Sequence, residues 1–253
     1  HATIRRQRQM CIRDSITNIS LDHQEILGSD TNSIGKEKAG ILRNNQKLIF
    51  GAKKIPESVI KMIDSLNVDL HKIDNQDLEE DLHINKNAVK IATKAIELID
   101  PKISEKNIFN SIRNTKILGR CDLINNEFLV DVAHNEDAIK NLKSFIKSRS
   151  LDEDGIAAIF HCSKSKNPIS LISPLNKLFS ELRIPRINNF RLLDEEYIEE
   201  SFNNHFEIKV SIDETIEKSI KEIKLLKPES LILIFGSFYL AGEFYKLPFI
   251  KNV

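Results

Sequence analysis

Residues 118–142 read LGRCDLINNEFLVDVAHNEDAIKNL. Two apolar runs, 118–124 and 127–132, flank Asn125-Asn126, a pair suited to a tight turn, so the stretch predicts a β-hairpin. A helix is expected over 136–148. Downstream the pattern continues as strand and helix in alternation. Strands are expected at 156–160, 206–210 and 230–235, and helices at 168–180, 194–203, 213–225 and 238–245. Apolar strands spaced by helices pair in parallel, so the region from 117 onward reads as an α/β layer with a hairpin at its start.

The upstream half has a sparser pattern. Ile16–Ile19 reads as a short strand entering a loop that carries Asp22 and His23. Thr31 or Ser33 is a suitable N-cap for a helix through Glu37, and Gly40 releases the chain before a buried strand at Lys47–Phe50. Pro56–Leu66 predicts a helix, with Val59, Ile60, Ile63 and Leu66 on one face. A strand at Val68–Ile73 follows. A helix at Lys86–Ile99 is expected to turn Ala88, Ile91, Ala92, Ala95 and Ile99 inward, and Pro101 stops it. Ser104 begins a shorter helix carrying Ile108 and Ile112. The hydrophobic period lapses at 114–118, which places a domain boundary there, between units 15–116 and 117–253. The opening string HATIRRQRQMCIRDS is cationic, shows no hydrophobic period and resembles translated sequencing-adapter sequence. Residues 1–14 are therefore expected to be non-native or disordered. No apolar h-region follows the charges, which argues against a signal peptide.

Composition narrows the function classes. The 253 residues are 41% hydrophobic, enough for a real core. Lys plus Arg equals Asp plus Glu at 37 each, which argues against a groove tracking polyphosphate and so against nucleic acid as the main partner. No apolar run approaches the roughly 20 residues of a membrane span. Three cysteines, Cys11, Cys121 and Cys162, are too irregularly spaced for a disulfide framework or CxxC site. They read as reduced thiols of a cytoplasmic protein.

Three blocks carry a family resemblance: TNISLDHQEILGSDTNSIGKEKAGIL at 17–42, the hairpin block at 118–142, and LILIFGSFYLAGE at 231–243. In this order they resemble the Mur-ligase superfamily, and within it the folylpolyglutamate synthase/dihydrofolate synthase family. The resemblance covers nearly all of residues 16–245. It implies the tail of a Mur-ligase-type P-loop ATPase domain followed by a Rossmann-like α/β carboxyl-terminal domain. It also implies an ATP- and Mg2+-dependent ligase that joins L-glutamate to a folate or dihydropteroate carboxylate through an acyl phosphate. Small-molecule substrates and a monomer are expected, with neither nucleic acid nor membrane as partner.

The resemblance assigns roles to particular residues. Lys38, in EKAG, is typically carbamylated in the family. A neutral amine that takes up CO2 gains two hard anionic oxygens, which suit Mg2+. His23, in LDH, matches a histidine that binds a second Mg2+, with Asp22 orienting the loop. Asn87, in INKNAVKIA, resembles an ATP-contacting asparagine, although the family's prolines are missing and a plain cap role also fits. Arg120, in LGR where the family usually has PGR, offers a planar fork to phosphate oxygens. Asp131 sits in an apolar strand, a costly place for a carboxylate without a partner, and its family equivalent contacts ATP. His134 is expected to recognise the incoming glutamate or hold the loop. Ser237 could donate to a glutamate carboxylate, or simply cap a helix. Lys166 aligns with a lysine-bearing loop but lacks its flanking acids and is given no role.

No GxxGKGS phosphate loop occurs in the sequence. The expectation is therefore a fragment whose phosphate loop and acidic Mg2+ ligand lie before residue 16, inactive by itself. Two alternatives stand beside this reading: another Mur-type amino-acid ligase, as in cell-wall precursor synthesis, and a non-catalytic nucleotide-binding α/β module.

Overall fold

The computed structural model describes residues 13–20, 27–73, 85–151 and 155–250. The chain divides into two units, residues 1–114 and 115–253.

In the first unit, β1 (Arg13–Ile16), β2 (Lys47–Phe50) and β3 (Asp69–Lys72) form a parallel sheet in that order. Arg13 and Asp14, set aside on sequence grounds, are therefore the start of β1, in register with Lys47 and Leu48. The Gln46 side-chain amide also donates to the Asp14 carboxylate. The helices are α1 (Thr31–Ala39), α2 (Glu57–Ser65), α3 (Lys86–Ile99) and α4 (Glu105–Arg113). Leu48 and Phe50 of β2 pack with Val59 and Ile63 of α2 and with Ile16 and Ala39. Gly35 lets α1 approach α2, since a Cβ there would sit 3.0 Å from Val59 Cγ2.

Three details of the first unit differ from expectation. Asp30, not Thr31 or Ser33, caps α1, accepting from the Asn32 and Ser33 amides at 2.8 and 3.0 Å. Ile60 stays exposed while Val59 and Ile63 are buried. On α3 the buried pair is Val89 and Ile91, whereas Ala88 and Ala92 are exposed and Ile99 is 63% exposed. The helical period fixed α3 correctly, but the side of its apolar stripe that meets β2 is narrower than the stripe itself.

The second unit is a six-stranded sheet of order β4-β5-β9-β6-β7-β8. Its strands are β4 (Asp122–Ile124), β5 (Phe128–Asp131), β6 (Ile156–Phe160), β7 (Phe179–Pro185), β8 (Lys209–Asp213) and β9 (Leu231–Phe235). Only β4 with β5 is antiparallel; the other pairs run parallel. The helices are α5 (Glu136–Ser148), α6 (Pro168–Ile172), α7 (Glu195–Asn203), α8 (Ile216–Leu226) and α9 (Phe238–Tyr245). Side chains alternate across a strand, so each face has its own core. Leu129, Ala158, Phe160, Leu182, Leu233 and Phe235 face α5, α6 and α7. Phe128, Val130, Ala157, Ile159, Ile232 and Ile234 face α8 and α9. Helices on both faces of a mostly parallel sheet make this the expected Rossmann-like layer.

The sequence reading misplaced three segments here. The expected strand 118–124 starts only at Asp122, because Gly119 and Cys121 take φ of +67° and +46° and form a turn. The strand expected at 206–210 lies at 209–213, since the end of α7 continues as a turn, with the Phe206 amide bonded to Phe202 O at 2.8 Å. The helix expected at 168–180 ends at Ile172 and gives way to β7, an interior strand. β7 escaped notice because it carries Glu181 and Arg183, which are buried only because they meet partners. Arg183 Nε donates to Glu181 Oε1 at 3.1 Å, and Nη1 donates to both Asp213 oxygens at 2.8 Å.

Candidate functional site

Two groups of side chains gather at the carboxyl ends of parallel strands, one in each unit. In the first unit the chain leaves β1 through Thr17 and Asn18. Lys38, near the end of α1, reaches back so that Nζ donates to Asn18 O at 2.8 Å. Asn85 caps α3, accepting from the Asn87 and Ala88 amides at 2.9 and 3.1 Å, so Asn87 is not the cap. Its side chain instead donates through Nδ2 to Gly51 O at 2.9 Å. Gly51 follows β2, and its amide donates to Ile16 O at 2.9 Å. Lys38 and Asn87 are thus tied to the ends of neighbouring strands. Asp22 and His23 lie outside the described residues, so the imidazole expected beside Lys38 is not placed.

The family resemblance implies a carbamate at Lys38, whose nitrogen would keep one N–H able to donate toward Asn18 O, as the amine does, and would gain two oxygens sharing one negative charge. Hard oxygens of this kind are suitable ligands for Mg2+.

In the second unit the site is built on the turn 117–121 and the ends of β5 and β9. Asp131, last residue of β5, is 6% exposed. Its Oδ2 accepts from the Cys121 amide at 2.8 Å and from Cys121 Sγ at 3.3 Å, and its Oδ1 accepts from the Ala133 amide at 2.7 Å. The carboxylate is therefore engaged by its own chain, which meets the burial cost anticipated from the sequence. Burial raises its pKa above the ordinary 3.8, an effect opposed by the Cys121 bonds, by the Arg120 charge and by the Ala133 amide. The Cys121 thiol is pushed well up, by burial first and by Asp131 second.

Arg120 is exposed at the tip of this turn, with Cζ 5.7 Å from the centroid of the Phe238 ring. The ring of His134 lies 5.6 Å from the same ring. Phe238 is 59% exposed, so its ring face is accessible to both side chains. His134 Nδ1 bonds Val132 O at 2.8 Å, which in the neutral ring makes Nε2 the acceptor nitrogen. The structure therefore brings together Arg120, Asp131 and His134, and adds Phe238, which the sequence reading passed over inside GSFYLAGE.

Ser237 caps α9, its Oγ accepting from the Tyr239 amide at 3.1 Å. The cap reading of this serine is thus borne out in geometry, and the hydroxyl proton remains able to donate elsewhere. Gly236 before it takes φ of +105°, and a Cβ there would lie 2.5 Å from His161 O. Lys166 lies in the loop after β6, its amide bonded to Ser163 O at 3.0 Å. At the same edge of the sheet, Arg191 Nη1 donates to Tyr239 OH at 3.2 Å and stacks on the exposed ring of Phe190. Neither Arg191 nor Phe190 stood out in the sequence, because an isolated surface arginine carries no pattern.

The fold has known counterparts. A family model described as dihydrofolate synthetase, C-terminal domain, matches residues 121–247. The dihydrofolate synthase/folylpolyglutamate synthase of Buchnera aphidicola from Acyrthosiphon pisum is 31% identical over 259 residues, covering 92% of this chain and 61% of its own length. The protein of the same description from Haemophilus influenzae is 22% identical over 271 residues, covering 91% and 62%. The chain thus spans about three fifths of the length of these curated relatives. Among solved structures, Escherichia coli FolC in complex with DHPP and ADP superimposes with a TM-score of 0.82 at 20% identity, over 96% of this chain and 62% of that one. The Yersinia pestis bifunctional folylpolyglutamate synthase/dihydrofolate synthase complexed with AMPPNP and Mn ion gives 0.76 at 19%, over 93% and 61%.

Proposed function

Because the chain belongs to the dihydrofolate synthetase family by its carboxyl-terminal domain, we propose that it forms part of an ATP-dependent ligase joining L-glutamate to a dihydropteroate or folate carboxylate. The observation that carries this reading is the pairing of Arg120 and His134 with the exposed Phe238 ring at the carboxyl edge of a parallel sheet, with Asp131 bonded to the amide of Cys121 beside Arg120. Ligands of open α/β sheets collect at that edge.

The chain's own residues divide the work. Arg120 binds phosphate oxygens of ATP with its guanidinium fork, and Phe238 holds the fork over its face. Asp131 keeps the arginine turn in place through the Cys121 amide. Asn87 is assigned an ATP contact by the family resemblance. His134 presents Nε2 as an acceptor to the ammonium of the incoming glutamate, and Ser237 donates its hydroxyl proton to a glutamate carboxylate. Lys38, as a carbamate, and His23 would hold Mg2+. Bound Mg2+ neutralises charge on the phosphoryl group in transfer. The substrate carboxylate attacks the γ-phosphorus of ATP, and ADP leaves. The glutamate ammonium first gives a proton to solvent; the amine then attacks the acyl phosphate carbon, loses a second proton, and expels phosphate.

The phosphate loop this chemistry requires does not occur in residues 1–253, so the chain alone is expected to turn over ATP negligibly. Ligase turnover by the chain alone would refute that. In a full-length protein supplying the loop, a carboxylate labelled with 18O should deliver one label into the released phosphate. Release of AMP and pyrophosphate instead would overturn the acyl phosphate route. Parallel assays with dihydropteroate and tetrahydrofolate decide the substrate.

A further inference from the structure

The turn that carries Arg120 opens with Ile117 and Leu118, both exposed, so neither side chain anchors it in the core. Its geometry must come from contacts elsewhere. The Arg120 amide donates to Ile117 O at 3.2 Å, and Gly119 O accepts from the Val132 amide at 2.9 Å. The remaining group, the Gly119 amide, donates to Tyr245 OH at 2.7 Å. That hydroxyl donates in turn to Asp122 Oδ2 at 2.6 Å, and the Asp122 side chain is buried. Cys121 holds a positive φ, a conformation costing about 1 kcal/mol or more outside glycine and kept only where the surroundings over-determine it. Tyr245 ends α9, the helix whose first residue is Phe238. One helix therefore grips the arginine turn twice, by an aromatic face at its start and by a phenol at its end.

We propose that Tyr245 is a positioning residue for Arg120, acting through the Gly119 amide, with Asp122 orienting the phenol. The proposal rests on Arg120 being a phosphate ligand. Burial and Asp122 both raise the Tyr245 pKa, so the hydroxyl keeps its proton and donates to Asp122 throughout the neutral range. Tyr245→Phe removes both bonds and retains the ring, which packs edge-on against Phe244.

Two readouts separate the latch from the phosphate reading. The first needs no nucleotide: the nuclear Overhauser contact between the Arg120 guanidinium and the Phe238 ring should be present in the unaltered chain and lost in Tyr245→Phe. Its persistence overturns the latch. The second, on a full-length protein that supplies the phosphate loop, is ATP titration by calorimetry. Arg120→Ala should weaken binding, and unchanged affinity overturns the phosphate reading, whatever the first readout gives. Tyr245→Phe should weaken binding about 3- to 10-fold, the equivalent of one net hydrogen bond. It should have no further effect in the Arg120→Ala background, whereas equal losses in both backgrounds overturn coupling through Arg120. If Tyr245→Phe does not fold, hydrogen exchange in the unaltered chain decides: a Gly119 amide exchanging as fast as an open loop overturns the proposal, and a protected one supports it.

Discussion

Replacing Arg183 with methionine tests the account of β7 most directly. Arg183, Glu181 and Asp213 have side chains only 6%, 4% and 5% exposed. The guanidinium donates to Glu181 once and to Asp213 twice, and Ser219 Oγ adds a bond to Asp213 at 2.8 Å. Methionine fills much of the same volume but leaves two buried carboxylates without a cation. Breaking a buried pair in this way costs about 3–5 kcal/mol, whereas replacing the whole group with apolar residues is often neutral. With an unfolding entropy of about 2.1 cal/mol/K per residue over residues 115–253, that loss lowers the midpoint of this unit by roughly 10–17 °C. The assay is selective, because the chain has no Trp and its three Tyr, Tyr197, Tyr239 and Tyr245, all lie in the second unit. Urea unfolding followed by tyrosine fluorescence therefore reports that unit alone. The triple variant Glu181→Leu, Arg183→Met, Asp213→Leu should recover most of the stability. A loss below about 1 kcal/mol for the single variant, or a triple variant no better than the single, would refute the reasoning.

Gly236→Ala should destabilise the same unit by about 2–4 kcal/mol in the same assay, since a Cβ meets His161 O and the Phe160 ring at a positive φ; a neutral effect would count against the close approach of the chain segments leaving β6 and β9. Asp30→Ala should cost the first unit about 1 kcal/mol by circular dichroism, the usual worth of an N-cap, and no loss would mean the cap is idle. Asp131, observed by carboxyl 13C titration, should have its midpoint above 3.8. With the pKa raised on folding, its contribution to stability is full below 3.8 and declines as pH rises through the folded-state midpoint, and a midpoint below 3.8 would reverse that sign. Cys162, fully buried with its thiol pushed up to about 12, should resist alkylation at pH 8 until the second unit unfolds.

How much of this was legible in advance depended on how local each signal was. Lys86–Ile99 and Lys47–Phe50 were read with correct limits because helical period, a capping residue and a run of buried β-formers are properties of neighbouring residues. Ser104 was read as the start of α4 for the same reason, and the structure makes it that helix's cap. Arg120, Asp131 and His134 were legible from a motif in which they stand close together. Phe238 was within another motif, yet its ring matters only because 118–134 folds against it. Tyr245 carried no local signal whatever, since its partner Gly119 is 126 residues away.

The amino-acid order by itself determined the alternation of elements apart from β7, the hairpin at Asn125-Asn126, the parallel layer and the family. Those follow from periodicity, turn chemistry and motif order, which short-range sterics and burial write directly into the chain. Only the folded arrangement decided that a strand could carry Glu181 and Arg183 into the interior, that Asp131 spends its oxygens on the Cys121 and Ala133 groups, and that one short helix holds the arginine turn at both ends. Charge neutralisation and hydrogen-bond satisfaction are settled between groups far apart in the chain, so their outcome exists only once the sheet has brought those groups together.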